Sequence, residues 1–250
     1  MTCAGCSGPE TLDVDFSMAF QPIYDSVADR VWGYEALVRG VGGEGAPEVL
    51  AKVTPAQKYR FDQQCRVKAI ELASALFPPG EDLMLSINFM PNAVYEPAAC
   101  LKATLRAAQR CGFPASSIMF EFTENEKVSD PAHLRAIVTE YRKQGFVTAV
   151  DDFGAGHAGL GLLVDFQPDL IKLDMELIRG IDASRARRAV VAGMIQIGRE
   201  LNIRILAEGV ETEAEFLTLK EAGVELFQGY WFARPAFEQL PSTQRTRRLP

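Results

Sequence analysis

The chain has 250 residues, 48% of them hydrophobic, and a formal net charge of −7. That length supports one large core, either a barrel-sized domain or two small ones, and the acidic balance argues against a non-specific binder of long nucleic acid. No apolar run reaches the roughly 20 residues that span a bilayer, and no basic-then-apolar leader opens the sequence, so a cytoplasmic setting without membrane contact is expected.

The five cysteines are odd in number and scattered, which suits a reducing compartment better than a disulfide framework. Cys3 and Cys6, in "MTCAGCSG", offer half a zinc site or a redox pair. No second C-x-x-C or histidine pair follows, and Cys65 joins them only if the fold brings it near. They are read as incidental residues of a loose tail.

In chain order, strands are expected at 18–24, 31–39, 83–88, 117–122, 146–151, 170–174, 203–208 and 225–231, each a short apolar run. Helices are expected at 56–76, 97–111, 131–144, 184–201 and 211–222, where apolar residues recur every three to four positions, with a shorter piece near 158–165. The Gly-rich "GVGGEGAPE" at 40–48 reads as a surface loop. About eight strands alternating with helices point to an α/β fold, a (β/α)8 TIM-like barrel. "DSVADR" between the first two strands is too short for a helical crossover, so those strands should form an antiparallel hairpin, leaving one reversed strand near the N-terminus. A doubly wound open sheet is the alternative. The organisation expected is a tail over 1–15, one domain over 16–240 and a short basic tail over 241–250.

Many of the apolar runs contain or end in a polar residue. Glu35, Asn88, Glu121, Asp151 with Asp152, Lys172 with Asp174, Glu208 and Gln228 all follow this rule, and Glu124 lies three residues past Glu121. In a barrel the C-terminal strand ends converge on one mouth, where active sites are built. Lys172 and Asp174, two apart on a strand, share a face. Taken singly, a strand-end carboxylate is most often a helix cap or a solvated residue; Glu211 and Glu213 fit a first helical turn capped by Thr212. Taken together, the carboxylates repel one another and call for cations. Oxygen donors of this kind suit Mg²⁺ or Mn²⁺, and their number suits two ions. Such a pair fits hydrolysis of a phosphodiester. With only His133 and His157 in the chain, a histidine-rich metal site is excluded.

The motifs "FQPIYD" (20–25), "YEALVR" (34–39), "SIN" (86–88), "FEFTE" (120–124), "DDFGAGHAGL" (151–160), "DLIKLD" (169–174), "LAEGVET" (206–212) and "FQGYWFARP" (227–235) resemble, in order and spacing, the EAL-domain family of cyclic-di-GMP phosphodiesterases. The resemblance implies hydrolysis of one 3′–5′ bond of cyclic di-GMP to linear pGpG, in a homodimer. It implies Glu35, Asn88, Glu121 and Asp151 as ligands of a first metal, and Asp152 as ligand of a second, with Asp151 shared. Lys172 is similar to the lysine that positions the attacking water, and Glu208 to a general base or further ligand. Gln21, Arg39, Asp174 and Gln228 fall among the substrate contacts, Arg39 towards a phosphate. Glu124 resembles the residue that holds the glycine-rich loop after Asp152, and Glu211 a further acid nearby.

Where the family loop commonly carries Thr, Tyr and two serines, this chain has Ala155, His157, Ala158 and Gly159, which leaves the metal ligands intact and bears on loop stiffness and dimer contacts. "FMPNAVYEP" after Asn88 resembles a branch attached to light-sensing flavin domains; the N-terminal stretch here is too small to be one. Regulation is therefore expected through the cysteines, the dimer or a separate sensor partner. A receptor that binds cyclic di-GMP without cutting it is the alternative function. A barrel acting on sugar phosphates would need a phosphate-binding glycine loop that "FQGYWFARP" does not resemble.

Overall fold

The computed structural model describes residues 12, 14–94, 96–123, 131–155 and 159–243. The expectations for Cys3, Cys6, Glu124, His157 and most of the basic C-terminal tail lie outside those residues.

The hairpin forms as expected. β1 (Phe16–Asp25) runs antiparallel to β2 (Arg30–Gly40), with Gln21 opposite Glu35. The Asp25 carboxylate makes the turn by accepting from the backbone N–H groups of Val27 and Ala28, both at 2.9 Å, and Asp29 completes it in the left-handed region at φ 53°. A short helix α1 (Ala46–Ala51) then starts inside the segment expected to be loop; Pro47 in its first turn and the Glu48 carboxylate on the Gly45 N–H start it. After α2 (Lys58–Leu76) the chain alternates strictly: β3 (Met84–Asn88), α3 (Pro97–Cys111), β4 (Ile118–Thr123), α4 (Pro131–Lys143), β5 (Val147–Phe153), α5 (Gly159–Asp165) and β6 (Leu170–Leu173). A single-turn α6 (Met175–Ile178) precedes α7 (Arg185–Leu201), β7 (Arg204–Ala207), α8 (Glu213–Ala222) and β8 (Leu226–Phe227).

β2 to β8 pair in parallel in sequence order, and β1 closes the ring by pairing antiparallel with both β8 and β2. This is the eight-stranded (β/α) barrel with one reversed strand, and it sets the open-sheet alternative aside. β9 (Ala236–Phe237) adds a two-residue pairing to β1 outside the ring. The eighth strand is shorter than expected because Gly229 turns the chain away at φ 154°, where an added Cβ would lie 2.1 Å from the Val210 carbonyl oxygen. α8 starts at Glu213, since Thr212 is its cap and bonds the Glu215 N–H at 3.2 Å.

The helices pack their apolar faces on the outside of the ring. α7 buries Val191, Met194 and Ile195 while its arginine-rich start stays exposed, the pattern of an ordinary barrel helix. Inside the ring, Ile23, Met119, Ala149, Leu170, Leu206 and Leu226 form a separate buried cluster that plugs the barrel. Among the described residues no helix is long and apolar enough to cross a membrane.

Candidate active site

The apolar plug explains the polar site above it. Side chains two apart on a strand share a face. Glu121, Asp151, Lys172, Glu208 and Gln228 each stand two residues beyond a plug residue, and Gln21 two residues before Ile23 on the reversed strand. The barrel interior is therefore layered, apolar at the bottom and charged at the mouth.

Lys172 is the centre of the charged layer. Its side chain is 0% exposed, and its Nζ lies 2.6 Å from Glu208 Oε1, 2.8 Å from Glu121 Oε2, 3.1 Å from Asp151 Oδ1 and 3.3 Å from Glu35 Oε2. Glu35 also accepts from Asn88 Nδ2 and from Gln228 Nε2, each at 2.7 Å. Gln228 Nε2 lies 3.1 Å from Gln21 Oε1, and Gln21 Nε2 donates to the Ala233 carbonyl at 3.2 Å, which fixes both amides.

The two adjacent aspartates serve one site because β5 is irregular. Its register with β6 shifts between Val150 and Phe153, and Asp152 sits in the left-handed region at φ 53°. A bulge of this kind re-aims a side chain, so Asp151 and Asp152 both line the cleft. The following Gly154, at φ 99°, passes so close to Leu177 that a Cβ would lie 2.3 Å from its Cδ1.

One ammonium cannot satisfy this many carboxylates. Burial, together with Glu35 and Asp151, pushes the Glu121 carboxyl up to about 8 in spite of Lys172. Burial and then the Asp151 charge hold Glu208 well above the carboxylate range. Asp152 is pushed up to about 6 by burial, Asp151 and Asp174. Burial opposes the Lys172 charge, but Asp151, Glu121, Glu208 and Glu35 outweigh it and raise its pKa well above the usual value.

The donor set fits hard divalent cations. Glu35, Glu121 and Asp151 each offer an oxygen within 4.8 Å of the others, and so do Asp151, Asp152 and Glu208, with Asp151 common to both groups. The buried Glu121 Oε1 has no hydrogen-bond partner, which leaves a lone pair for a ligand.

A cleft of about 290 Å³ opens over this layer, lined by Gln21, Glu35, Asp151, Asp152, Asp174, Glu208, Glu211 and Gln228 of the expected residues. Met175, Gly209, Gly229 and Tyr230 line it too; the last three fall within the motifs "LAEGVET" and "FQGYWFARP" without being singled out as site residues, and Met175 lies just past "DLIKLD". Asp174 caps α6 through Oδ1, which accepts from the Glu176 N–H at 2.7 Å. Glu211 pairs with Arg179 at 2.6 Å on the rim. Arg39 is not among the cleft-lining residues; its guanidinium donates to the Val38 carbonyl at 2.7 Å.

Residues 10–235 match the family model described as EAL domain. The chain belongs to the EAL domain family. Among proteins similar to this EAL chain, a standalone versatile EAL protein from Vibrio cholerae, solved in a c-di-GMP-bound form, is 52% identical. The match covers 94% of this chain and 99% of that one, with a TM-score of 0.90. BlrP1 of Klebsiella pneumoniae, solved as a manganese/cy-diGMP complex, is 34% identical over 94% of this chain and 60% of its own, with a TM-score of 0.86. The blue light- and temperature-regulated antirepressor BluF of Escherichia coli is 33% identical over 95% of this chain. The cyclic di-GMP phosphodiesterase RocR of Pseudomonas aeruginosa is 37% identical over 64% of it. The chain spans 58% of BluF's length and 41% of RocR's.

Proposed function

We propose that this EAL domain hydrolyses one 3′–5′ phosphodiester bond of cyclic di-GMP to linear pGpG with the help of two divalent cations, Mg²⁺ or Mn²⁺. The observation that carries the reading is a buried ammonium facing four carboxylates at a barrel mouth, a surplus of oxygen donors that its one charge cannot neutralise. RocR, named a cyclic di-GMP phosphodiesterase, and the nucleotide-bound Vibrio and Klebsiella structures support the choice of substrate.

In this reading Glu35, Asn88, Glu121 and Asp151 hold the first cation, and Asp151 and Asp152 the second. When bound, the cations supply an activated water and neutralise charge on the phosphate oxygens. Lys172 orients the attacking water, and Glu208 serves as base or as a further ligand. Gln21, Asp174 and Gln228 face the nucleotide from the cleft wall, and Arg39 reaches a phosphate only after its guanidinium leaves the Val38 carbonyl. Glu124 and Glu211 are assigned to anchoring the loops around the site. A domain over 16–240 between two tails, a cytoplasmic setting, a homodimer and a separate sensor partner belong to the same reading.

The test is incubation of the chain with cyclic di-GMP and Mg²⁺ or Mn²⁺, with an EDTA control, followed by separation of the nucleotides. Metal-dependent pGpG is the expected outcome. BluF is named an antirepressor, and binding of the nucleotide without turnover under either metal would assign this chain to the receptor reading instead.

A further inference from the structure

A second buried charged group lies behind the barrel wall and takes no part in the chemistry above. Asp62 and Arg66 on α2 are 3% and 0% exposed, and Tyr141 on α4 is 0% exposed. Asp62 Oδ1 accepts from the Met90 N–H at 2.9 Å. Asp62 Oδ2 meets Arg66 Nη2 at 2.6 Å, a charge contact whose angle departs from that of a hydrogen bond. Arg66 Nη1 donates to the Tyr141 hydroxyl at 2.7 Å. The guanidinium carbon lies 5.3 Å from the Phe89 ring centroid, 5.1 Å from that of Phe120 and 5.7 Å from that of Tyr141.

These contacts converge on two strand ends. Phe89 and Met90 directly follow Asn88, and Phe120 directly precedes Glu121. Asn88 and Glu121 are register partners on β3 and β4, and the Phe89 N–H bonds the Glu121 carbonyl at 2.8 Å. Alternate residues on a strand face opposite ways, so Phe120 turns towards the helices while Glu121 turns into the barrel. Holding Phe89, Met90 and Phe120 from behind sets where Asn88 and Glu121 stand in front. A buried ion pair is a poor means of stabilising a core by itself. Here it supplies an acceptor for a backbone N–H at the point where β3 has ended and the sheet no longer supplies one.

We propose that Asp62, with Arg66 and Tyr141, acts as a positioning group that fixes Asn88 and Glu121 for divalent-cation binding. This rests on the metal reading given above. Asp62 acts through the Met90 N–H, and Arg66 through the two flanking rings; neither touches the cation or the nucleotide.

The experiment is Mn²⁺ affinity, measured by electron paramagnetic resonance on the full chain without substrate, alongside thermal unfolding in EDTA. Two double variants separate the acceptor from the charge. Asp62→Asn with Arg66→Met removes both charges and keeps an oxygen for the Met90 N–H; having lost the Arg66 contacts to Tyr141 and the two rings, it is expected to bind Mn²⁺ several-fold more weakly than the parent. Asp62→Leu with Arg66→Met removes the oxygen as well and is expected to bind Mn²⁺ at least about tenfold more weakly, the usual scale for groups that orient metal ligands. Equal Mn²⁺ affinity in two folded double variants would overturn the proposal. Should either fail to fold, Tyr141→Phe keeps the ring and the ion pair and loses one hydrogen bond. A several-fold drop in Mn²⁺ affinity at near-parent melting temperature then supports the role, and an unchanged affinity refutes it. Absence of Mn²⁺ binding by the parent chain would remove the metal reading and this role together, whereas parent binding with indifferent variants removes this role alone.

Discussion

The Lys172 ammonium and the Glu121 carboxylate meet at 2.8 Å with both side chains wholly excluded from solvent. Three further carboxylates touch the same nitrogen. The lysine is thus the fixed cation of a site with more negative charge than it can balance. Lys172→Met leaves those carboxylates without their counter-charge. In EDTA the variant is expected to lose about 3–5 kcal/mol of stability, the range for breaking a buried pair. Mn²⁺ is expected to restore part of that loss. Turnover is expected to fall more than nucleotide affinity. Unfolding curves with and without Mn²⁺ check the first part; an unchanged midpoint in EDTA would show that the lysine does not carry this role.

Removing a carboxylate should have the opposite effect on the metal-free protein. Glu121→Gln takes away a group that burial and like charges disfavour. Its melting temperature in EDTA is expected to equal or exceed the parent's at pH 8.5, while turnover drops at least about 100-fold, about 3 kcal/mol of transition-state stabilisation. Glu35→Ala and Asp151→Ala are expected to abolish hydrolysis with the fold intact. Parent-like turnover in any of the three would sink the two-cation proposal.

The raised carboxyl of Glu121 has a definite pH signature. Its folded value of about 8 lies above the ordinary 4.5, so between those pH values the folded chain holds a proton that the unfolded chain has lost. Stability then falls as pH rises through that window, on the order of a few kcal/mol from this group. Lys172 adds no slope there, because its raised pKa lies higher still. In EDTA the protein is expected to melt at a lower temperature at pH 8.5 than at pH 5.5. Cation binding must displace the proton, so Mn²⁺ affinity is expected to rise over the same range. Calorimetry in buffers of different ionisation enthalpy measures the protons released; none released at pH 6.5 would contradict the assignment.

Glu215 joins two loops of the site. Its carboxylate accepts from the N–H groups of Gly180 at 2.9 Å, Glu211 at 3.0 Å and Thr212 at 3.1 Å, tying the segment after α6 to the loop that follows Glu208. Glu215→Ala leaves three N–H groups without this acceptor and is expected to destabilise the fold by about 2–3 kcal/mol. Glu215→Gln keeps one acceptor oxygen and is expected to recover roughly half. Denaturant titration at pH 7 distinguishes the two; parent-like midpoints in both would show that this acceptor is not needed.

Much of this architecture is local information. Alternating apolar runs and turn residues specify strands and helices over a few positions, so the eight strands and the reversed first strand were legible. The ends were less so. α1 begins within a glycine-rich stretch because Pro47 and Glu48 start a turn there, and β8 stops early because Gly229 must pass against Val210. Glu121, Asp151, Lys172, Glu208 and Gln228 were legible for a related reason: a period of two carries each of them upward from an apolar plug residue on the same strand.

The sequence by itself determined which residues could meet, since strand periodicity and chain order are set by neighbours along the backbone. Only closure of the barrel decided that Lys172 and Glu35, 137 positions apart, would come within 3.3 Å. Closure also brought Met175 and Tyr230 to the cleft, and set Asp62 and Arg66 behind Asn88 and Glu121. The physical reason is that burial, charge balance and hydrogen-bond satisfaction belong to the space between elements. The sequence order of those elements does not contain that space.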